Sequence, residues 1–242
     1  PPPPHARVWA QLGPHDPTQY VAQDGDWLGG TLYPSDLWVD GDTVRQVFCF
    51  VVPEWSPAPA LYWVRLGLLD GDSRVTLMSS DSDMVVLGPW RMRAVSPTPS
   101  PGCVADYRLG EAIRLLGYNL EQMDEALEVT LYWRAEPAPE ADYAFFVHLL
   151  DKEGNLVAQH DGPPREGAYP TSWWLPEQVI IDRHTIQLTE PLIGPARLLV
   201  GLYDPATLVR LPAYDDQGRR LPHDAIPLTQ VTPQGDTSCA SD

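Results

Sequence analysis

Apolar and polar residues alternate at period two along most of the chain, and no stretch of twelve residues sustains a helical period. The clearest case is Ala126–Ala135. Leu127, Val129, Leu131 and Trp133 fall on one face there, and Glu128, Thr130, Tyr132 and Arg134 on the other. The same reasoning predicts strands at residues 6–12, 20–23, 43–52, 61–69, 74–78, 84–87 and 90–95 in the first part of the chain. In the second part it predicts them at 104–109, 113–118, 126–135, 143–150, 155–159, 179–188, 196–203, 209–211 and 226–231. Residues 24–30, 119–125 and 160–168 read as loops. Proline-rich runs at 1–5 and 96–102 read as linkers and residues 233–242 as a disordered tail. This partition leaves two β-rich segments, 6–95 and 103–232.

The two segments share an internal repeat. Val21-Ala-Gln23 recurs as Val157-Ala-Gln159, 136 residues on. At that offset Tyr33-Pro34 meets Tyr169-Pro170, Trp38 meets Trp174 and Val44 meets Ile180. Leu66-Gly-Leu-Leu-Asp70 meets Val200-Gly-Leu-Tyr-Asp204 at 134, and Trp9-Ala-Gln-Leu12 meets Phe146-Val-His-Leu149 at 137. Identity held in register over about sixty residues marks a duplicated unit. The fold class that follows is all-β: two tandem antiparallel β-sandwich repeats of jelly-roll or immunoglobulin-like type. Residues 104–135 have no counterpart in the first copy as given, so its N-terminal strands are missing or lie upstream in a longer precursor; if nothing replaces them, it exposes an open edge and an uncovered core face.

Composition agrees with many short elements joined by turns. Proline numbers 27 among 242 residues, and proline is excluded from central strands and helix interiors. Nineteen Trp and Tyr against four Phe favour amphipathic rings at cores and rims. A formal net charge of −17, with no cluster of Lys and Arg to offset it, excludes nucleic-acid binding and points chiefly to solubility. No apolar run approaches the roughly 20 residues of a membrane helix. No signal peptide precedes the opening Pro-Pro-Pro-Pro, so the chain reads as a mature or excised piece.

The three cysteines form no zinc-like pattern. Cys49, inside Val47-Phe-Cys-Phe-Val-Val52, reads as a buried apolar thiol. Cys103 and Cys239 flank the second repeat. Sandwich termini lie close enough to allow a bridge, whereas the polar tail around Cys239 favours free thiols. The acidic turns Asp70-Gly-Asp72, Asp81-Ser-Asp83 and Asp215-Asp216 resemble calcium loops only in composition, so no cofactor is expected. No hydrolase, metalloprotease, phosphate-loop or dinucleotide motif is present, and no enzyme activity is expected.

The candidate chemistry gathers around residues 160–184. His148, His160 and His184 could meet Asp161 and Asp182 at one end of the sandwich, either as loop-fixing hydrogen bonds or as an acid–base or metal group. Asp161, Arg165 and Asp182 could form a buried Arg–carboxylate pair that pins the loop. With Tyr169 and Trp173 they also make the kit of a saccharide site, an aromatic platform with planar polar groups. Adjacent residues face opposite sides, so Trp174, matched by Trp38, is expected inside and Trp173, matched by Leu37, outside.

The second half resembles a β-sandwich module of the extracytoplasmic portions of Chloroflexi-type membrane glycosyltransferase-like proteins. The resemblance rests on Ile113-Arg-Leu-Leu-Gly-Tyr118, Leu131-Tyr-Trp-Arg-Ala135, Tyr143-Ala-Phe-Phe-Val-His-Leu-Leu-Asp151, Gly167-Ala-Tyr-Pro-Thr171, Trp174, Asp182, Val200-Gly-Leu-Tyr-Asp204 and Arg210-Leu-Pro212. It implies an extracytoplasmic location and no transferase activity for this chain, because the transmembrane catalytic part is missing. The expectation is a non-catalytic accessory module, glycan-binding through Trp173, Tyr169, Asp161, Arg165 and Asp182. The alternative is a cell-surface or filament subunit that associates with copies of itself or a partner chain through residues 6–95.

Overall fold

The computed structural model describes residues 2, 5–31, 33–54, 56–76, 82–93, 100–123, 125–233 and 239. The expected linkers and tail fall largely outside them. The chain divides into two units, Pro1–Val95 and Ser96–Asp242.

Unit 1 is a single antiparallel sheet. Strands β1 (Arg7–Gly13), β2 (Ala22–Trp27) and β3 (Ala60–Asp70) stand in the order β2-β1-β3, and β4 (Ser73–Val75) and β5 (Met84–Met92) both pair with β3. The short runs expected at 84–87 and 90–95 are one strand, β5. Strand β2 begins later than expected and continues through Asp24–Trp27, where a loop was predicted. The ladder with β1 sets Val8 opposite Asp26 and Ala10 opposite Asp24, so pairing overrides the polar composition. On the outer face Arg65 is buried and donates to the carbonyls of Pro14 and His15, closing the β1–β2 turn.

Unit 2 is a complete two-sheet sandwich. One sheet runs β10 (Leu156–Gly162), β9 (Ala144–Leu150), β12 (Ala196–Tyr203), β14 (Ile226–Val231). The other runs β11 (Val179–Gln187), β8 (Ala126–Ala135), β7 (Ile113–Gln122), β6 (Cys103–Leu109), β13 (Ala213–Tyr214). Strands β8, β12 and β14 begin and end where the alternation places them. Strands β7 and β10 run three or four residues into predicted loops, again because a neighbouring strand supplies a ladder. Residues 209–211 form no strand; Arg210 makes an isolated bridge to Tyr203. The inward face of β8 is Leu127, Val129, Leu131 and Trp133, all buried. Trp133 stacks on Phe145 of the opposite sheet with centroids 4.8 Å apart, and Phe145 lies 6.2 Å from Trp174. Tyr118 of β7 crosses the core to donate to the Leu228 carbonyl at 2.7 Å. Each such side chain contributes roughly 1.5–3 kcal/mol by leaving water. A disulfide joins Cys103, at the start of β6, to Cys239.

The strands of the two units coincide at the sequence offsets. Strand β1 corresponds to β9, β2 to β10 and β3 to β12, in the same order. Their registers correspond too: Val8 faces Leu68 and Asp26 as Phe145 faces Leu202 and Gly162. Gly67 lies under the Trp9 ring, and Gly201 lies under the Phe146 ring. A Cβ at either glycine would fall inside the ring's van der Waals envelope. Arg74 covers Trp9 at 4.9 Å as Arg210 covers Phe146 at 4.1 Å.

The second sheet has no counterpart among the described residues of unit 1. Thr43–Val52, expected as a strand, forms no ladder. It occupies the sequence position of β11, whose partner is β8, and no described strand of unit 1 stands in β8's place. Without that partner the alternation survives but the hydrogen bonds do not. Val44, Gln46, Phe48, Phe50 and Val52 are half-buried, and Thr43, Arg45, Val47, Cys49 and Val51 are exposed. Cys49 is therefore an exposed thiol rather than the buried one its apolar neighbours imply.

Replacing Gly201 by Ala should cost about 1–3 kcal/mol through overpacking against Phe146. In denaturant titrations Phe146→Ala in the same chain should recover part of that loss, a coupling absent if the glycine matters only for backbone freedom.

Candidate functional site

The motif Tyr-Pro-Thr/Ser-x-x-Trp builds a corner in each unit, a 3-10 turn at Ser35–Leu37 and at Thr171–Trp173. Its side chains make the same hydrogen bonds in both. Trp174 Nε1 donates to the Tyr169 carbonyl at 3.1 Å, and Trp38 Nε1 to the Tyr33 carbonyl at 3.0 Å. Thr171 Oγ1 accepts from the Tyr143 amide at 2.9 Å, and Ser35 Oγ from the Ala6 amide at 3.2 Å. The Tyr169 hydroxyl donates to Gln178 Oε1 at 2.9 Å, and the Tyr33 hydroxyl to Asp42 Oδ2 at 2.6 Å. Those same acceptors take the Leu175 and Val39 amides. The corner thus joins a turn to the strand before it and the turn after it, and every polar atom named is satisfied within the protein.

Asp182 belongs to this framework. It is buried in β11, and its Oδ1 accepts the Arg165 backbone amide at 2.8 Å. The loop that the expected Arg–carboxylate pair would pin is held to Asp182 through the Arg165 backbone amide. The reason is the backbone of the loop, which turns left-handed at Arg165 (φ 51°) and Glu166 (φ 55°) and aims that amide inward. Gln46 stands at the matching place in unit 1 and does the same: its Oε1 accepts the Gly29 amide at 3.3 Å. A carboxylate is thus not required, since an amide oxygen accepts equally well.

The histidines do not converge on one group. His148 lies 3.0 Å from Asp161 across the β9–β10 ladder, with its ring against Phe146. His160 and His184 meet Nδ1 to Nδ1 at 2.9 Å, so one ring donates and the other accepts. His184 Nε2 lies 3.0 Å from Asp182 Oδ2 in the interior, a contact without hydrogen-bond angles. Burial, and then the neighbouring His184, lower the pKa of His160. Among the described residues no three His, Cys, Asp or Glu side chains are placed to hold a metal ion.

Of the five saccharide-site candidates, Tyr169 and Asp182 are buried and bonded internally. Trp173 and Arg165 are half-buried, and Asp161 is exposed but engaged by His148. Trp174 lies inside, as its pairing with Trp38 predicts. Tyr169 and Asp182 are thus parts of the corner and the loop clamp, while Trp173, Arg165 and Asp161 stay at least partly open.

Two surfaces remain. In unit 2 a groove of about 710 Å³ runs between the β9–β10 turn and the β11–β12 loop, lined by Lys152, Val157, Pro191, Leu192 and Ile193. In unit 1 the face of the sheet that bears Val8, Ala10 and Leu12 continues as Val64, Leu66 and Leu68 of β3. Beyond them, opposite Val64 and Leu66, stand Leu87 (43% exposed) and Val85 (41%) of β5. The β3 positions are all partly open. The corresponding Leu198, Val200 and Leu202 of unit 2 are completely buried beneath its second sheet. No protein-family model matches the chain, and no curated protein matches it.

Trp174→Phe should cost about 1–3 kcal/mol, because it strands the buried Tyr169 carbonyl. Trp38→Phe should cost less than about 1 kcal/mol, because unit 1's corner is open to water that can replace the lost donor. Equilibrium unfolding of the two variants checks the difference.

Protonating His160 would place a charge in a partly desolvated site beside His184, with Asp182, Asp161 and Glu166 offsetting only part of the cost. Its lowered folded-state pKa stabilises the fold above the unfolded value near 6.5, and that contribution disappears as pH falls through the folded value. Unfolding free energy should therefore drop on acidification below about pH 6.5, and His160→Gln should flatten the drop.

Proposed function

We propose that the protein is a non-catalytic, extracytoplasmic accessory module whose task is to hold a partner protein on unit 1. The observation that carries this reading is the contrast between equivalent faces: the apolar face of β3 and β5 is open in unit 1, and the same positions are sealed in unit 2. Contiguous apolar surface of this kind marks interaction sites. The location is supported by the Cys103–Cys239 disulfide, since such bonds persist in oxidising compartments. It is also supported by the resemblance of the second half to extracytoplasmic modules. Tyr169 and Asp182 are bonded inside the corner, so a glycan reading would rest on Trp173, Arg165 and Asp161.

A photoreactive apolar dye added to the full chain tests this. Labelling should concentrate on peptides containing β3 and β5 and fall severalfold in a Val85→Ser, Leu87→Ser variant, while Trp173→Ala leaves it unchanged. Labelling centred on the Val157–Ile193 groove, or none, would overturn the proposal. Saccharide binding abolished by Trp173→Ala would restore the glycan reading.

A further inference from the structure

Unit 2 contains a worked example of what covers such a face. There β11 pairs antiparallel with β8, with Ile180 opposite Trp133, Asp182 opposite Leu131, His184 opposite Val129 and Ile186 opposite Leu127. Moved back by 136 residues, those β11 positions become Val44, Gln46, Phe48 and Phe50, four of the five half-buried residues of the unpaired segment. The inward residues of a strand laid beside that segment would therefore point over the face that carries Val64, Leu66, Val85 and Leu87. The segment already alternates as a strand does, so little ordering remains to oppose pairing. The Cys49 amide is turned to the unit's own Asp24 Oδ2, 2.8 Å away. In a strand alternate amides point to opposite edges, which leaves the even-numbered amides of residues 44–50 for a neighbour.

We propose that Thr43–Val52 is an acceptor edge for a β-strand donated by a different protein chain. This rests on the partner-holding reading above and names how the partner is held. The donated segment is about as long as the nine residues of β11 and apolar at every second position. It carries no net negative charge. Charge selects against the other occupant, a second copy, because each copy carries −17. Nor can a second copy lend its own β8, which is held on both sides by β7 and β11. Main-chain hydrogen bonds to the acceptor edge supply the binding, and the apolar side chains select the donor through the open face.

The probe is a synthetic peptide of the sequence Ala126–Ala135 with two lysines appended, added to the full chain. Hydrogen exchange should slow at least tenfold at residues 43–51 on 1:1 binding. N-methylation of alternate peptide amides on one edge should abolish that protection, and methylation on the other edge should leave it. Absence of protection, protection confined to unit 2, or equal sensitivity to methylation of either edge would overturn the proposal. So would protection of residues 43–51 in the chain alone that grows with its concentration, which would mean a second copy is the occupant. If the dye labels β3 and β5 but the peptide gives no protection, the open face stands as a binding surface and only strand donation falls.

Discussion

A β-sheet with one apolar face must set that face against something, and everything in this protein follows from how far each unit meets the requirement. Unit 2 meets it with two sheets whose inward residues interdigitate. The Trp133–Phe145 stack and the Tyr118 bond to Leu228 join strands far apart in sequence, so the sheets cannot separate without exposing aromatic surface and a buried carbonyl. Unit 1 has the same first sheet, with the same registers and the same glycine beneath an aromatic ring, but its described residues form no second one. Its segment 43–52 shows that a strand-like sequence is not sufficient for a strand: apolar alternation sets which side chains turn inward, and a neighbouring strand supplies the ladder.

The corner motif shows the division between architecture and chemistry. Two adjacent tryptophans, a tyrosine, an aspartate and an arginine look like a binding kit when read by residue type. In place, the same hydrogen bonds occur in both units with different side chains, Gln46 for Asp182, Ser35 for Thr171 and Asp42 for Gln178. What the two corners share is the position of an oxygen acceptor, and that is what folding needs. Setting the two corners side by side thus separates the atoms required by the backbone from those that are free to vary.

The all-β class and most strands of unit 2 were legible in the sequence, because their period-two pattern coincides with real neighbours. Legibility failed at 24–27 and 160–162, where a ladder extends into polar sequence, and at 43–52, where the ladder partner is absent. The exposed Cys49 follows from the second failure. Among the candidate site residues, the inward placement of Trp174 followed from its match to Trp38. The bond from the Arg165 backbone amide to Asp182 could not be foreseen, since it depends on a left-handed turn of the loop. His160 and His184 were expected at one end of the sandwich; that their rings touch Nδ1 to Nδ1 depends on how two strands of different sheets approach, which no spacing along the chain encodes.

The disulfide has a mechanical consequence. It ties the first strand of unit 2 to a point 136 residues on, beyond its last strand. Tension entering before Cys103 and leaving after Cys239 runs through the sulfur bridge and bypasses the sandwich between them. Unit 2 would keep its shape under a load applied through its ends, adding no length to the chain. No described disulfide shunts force around unit 1, where a pull must be borne by β-ladders alone.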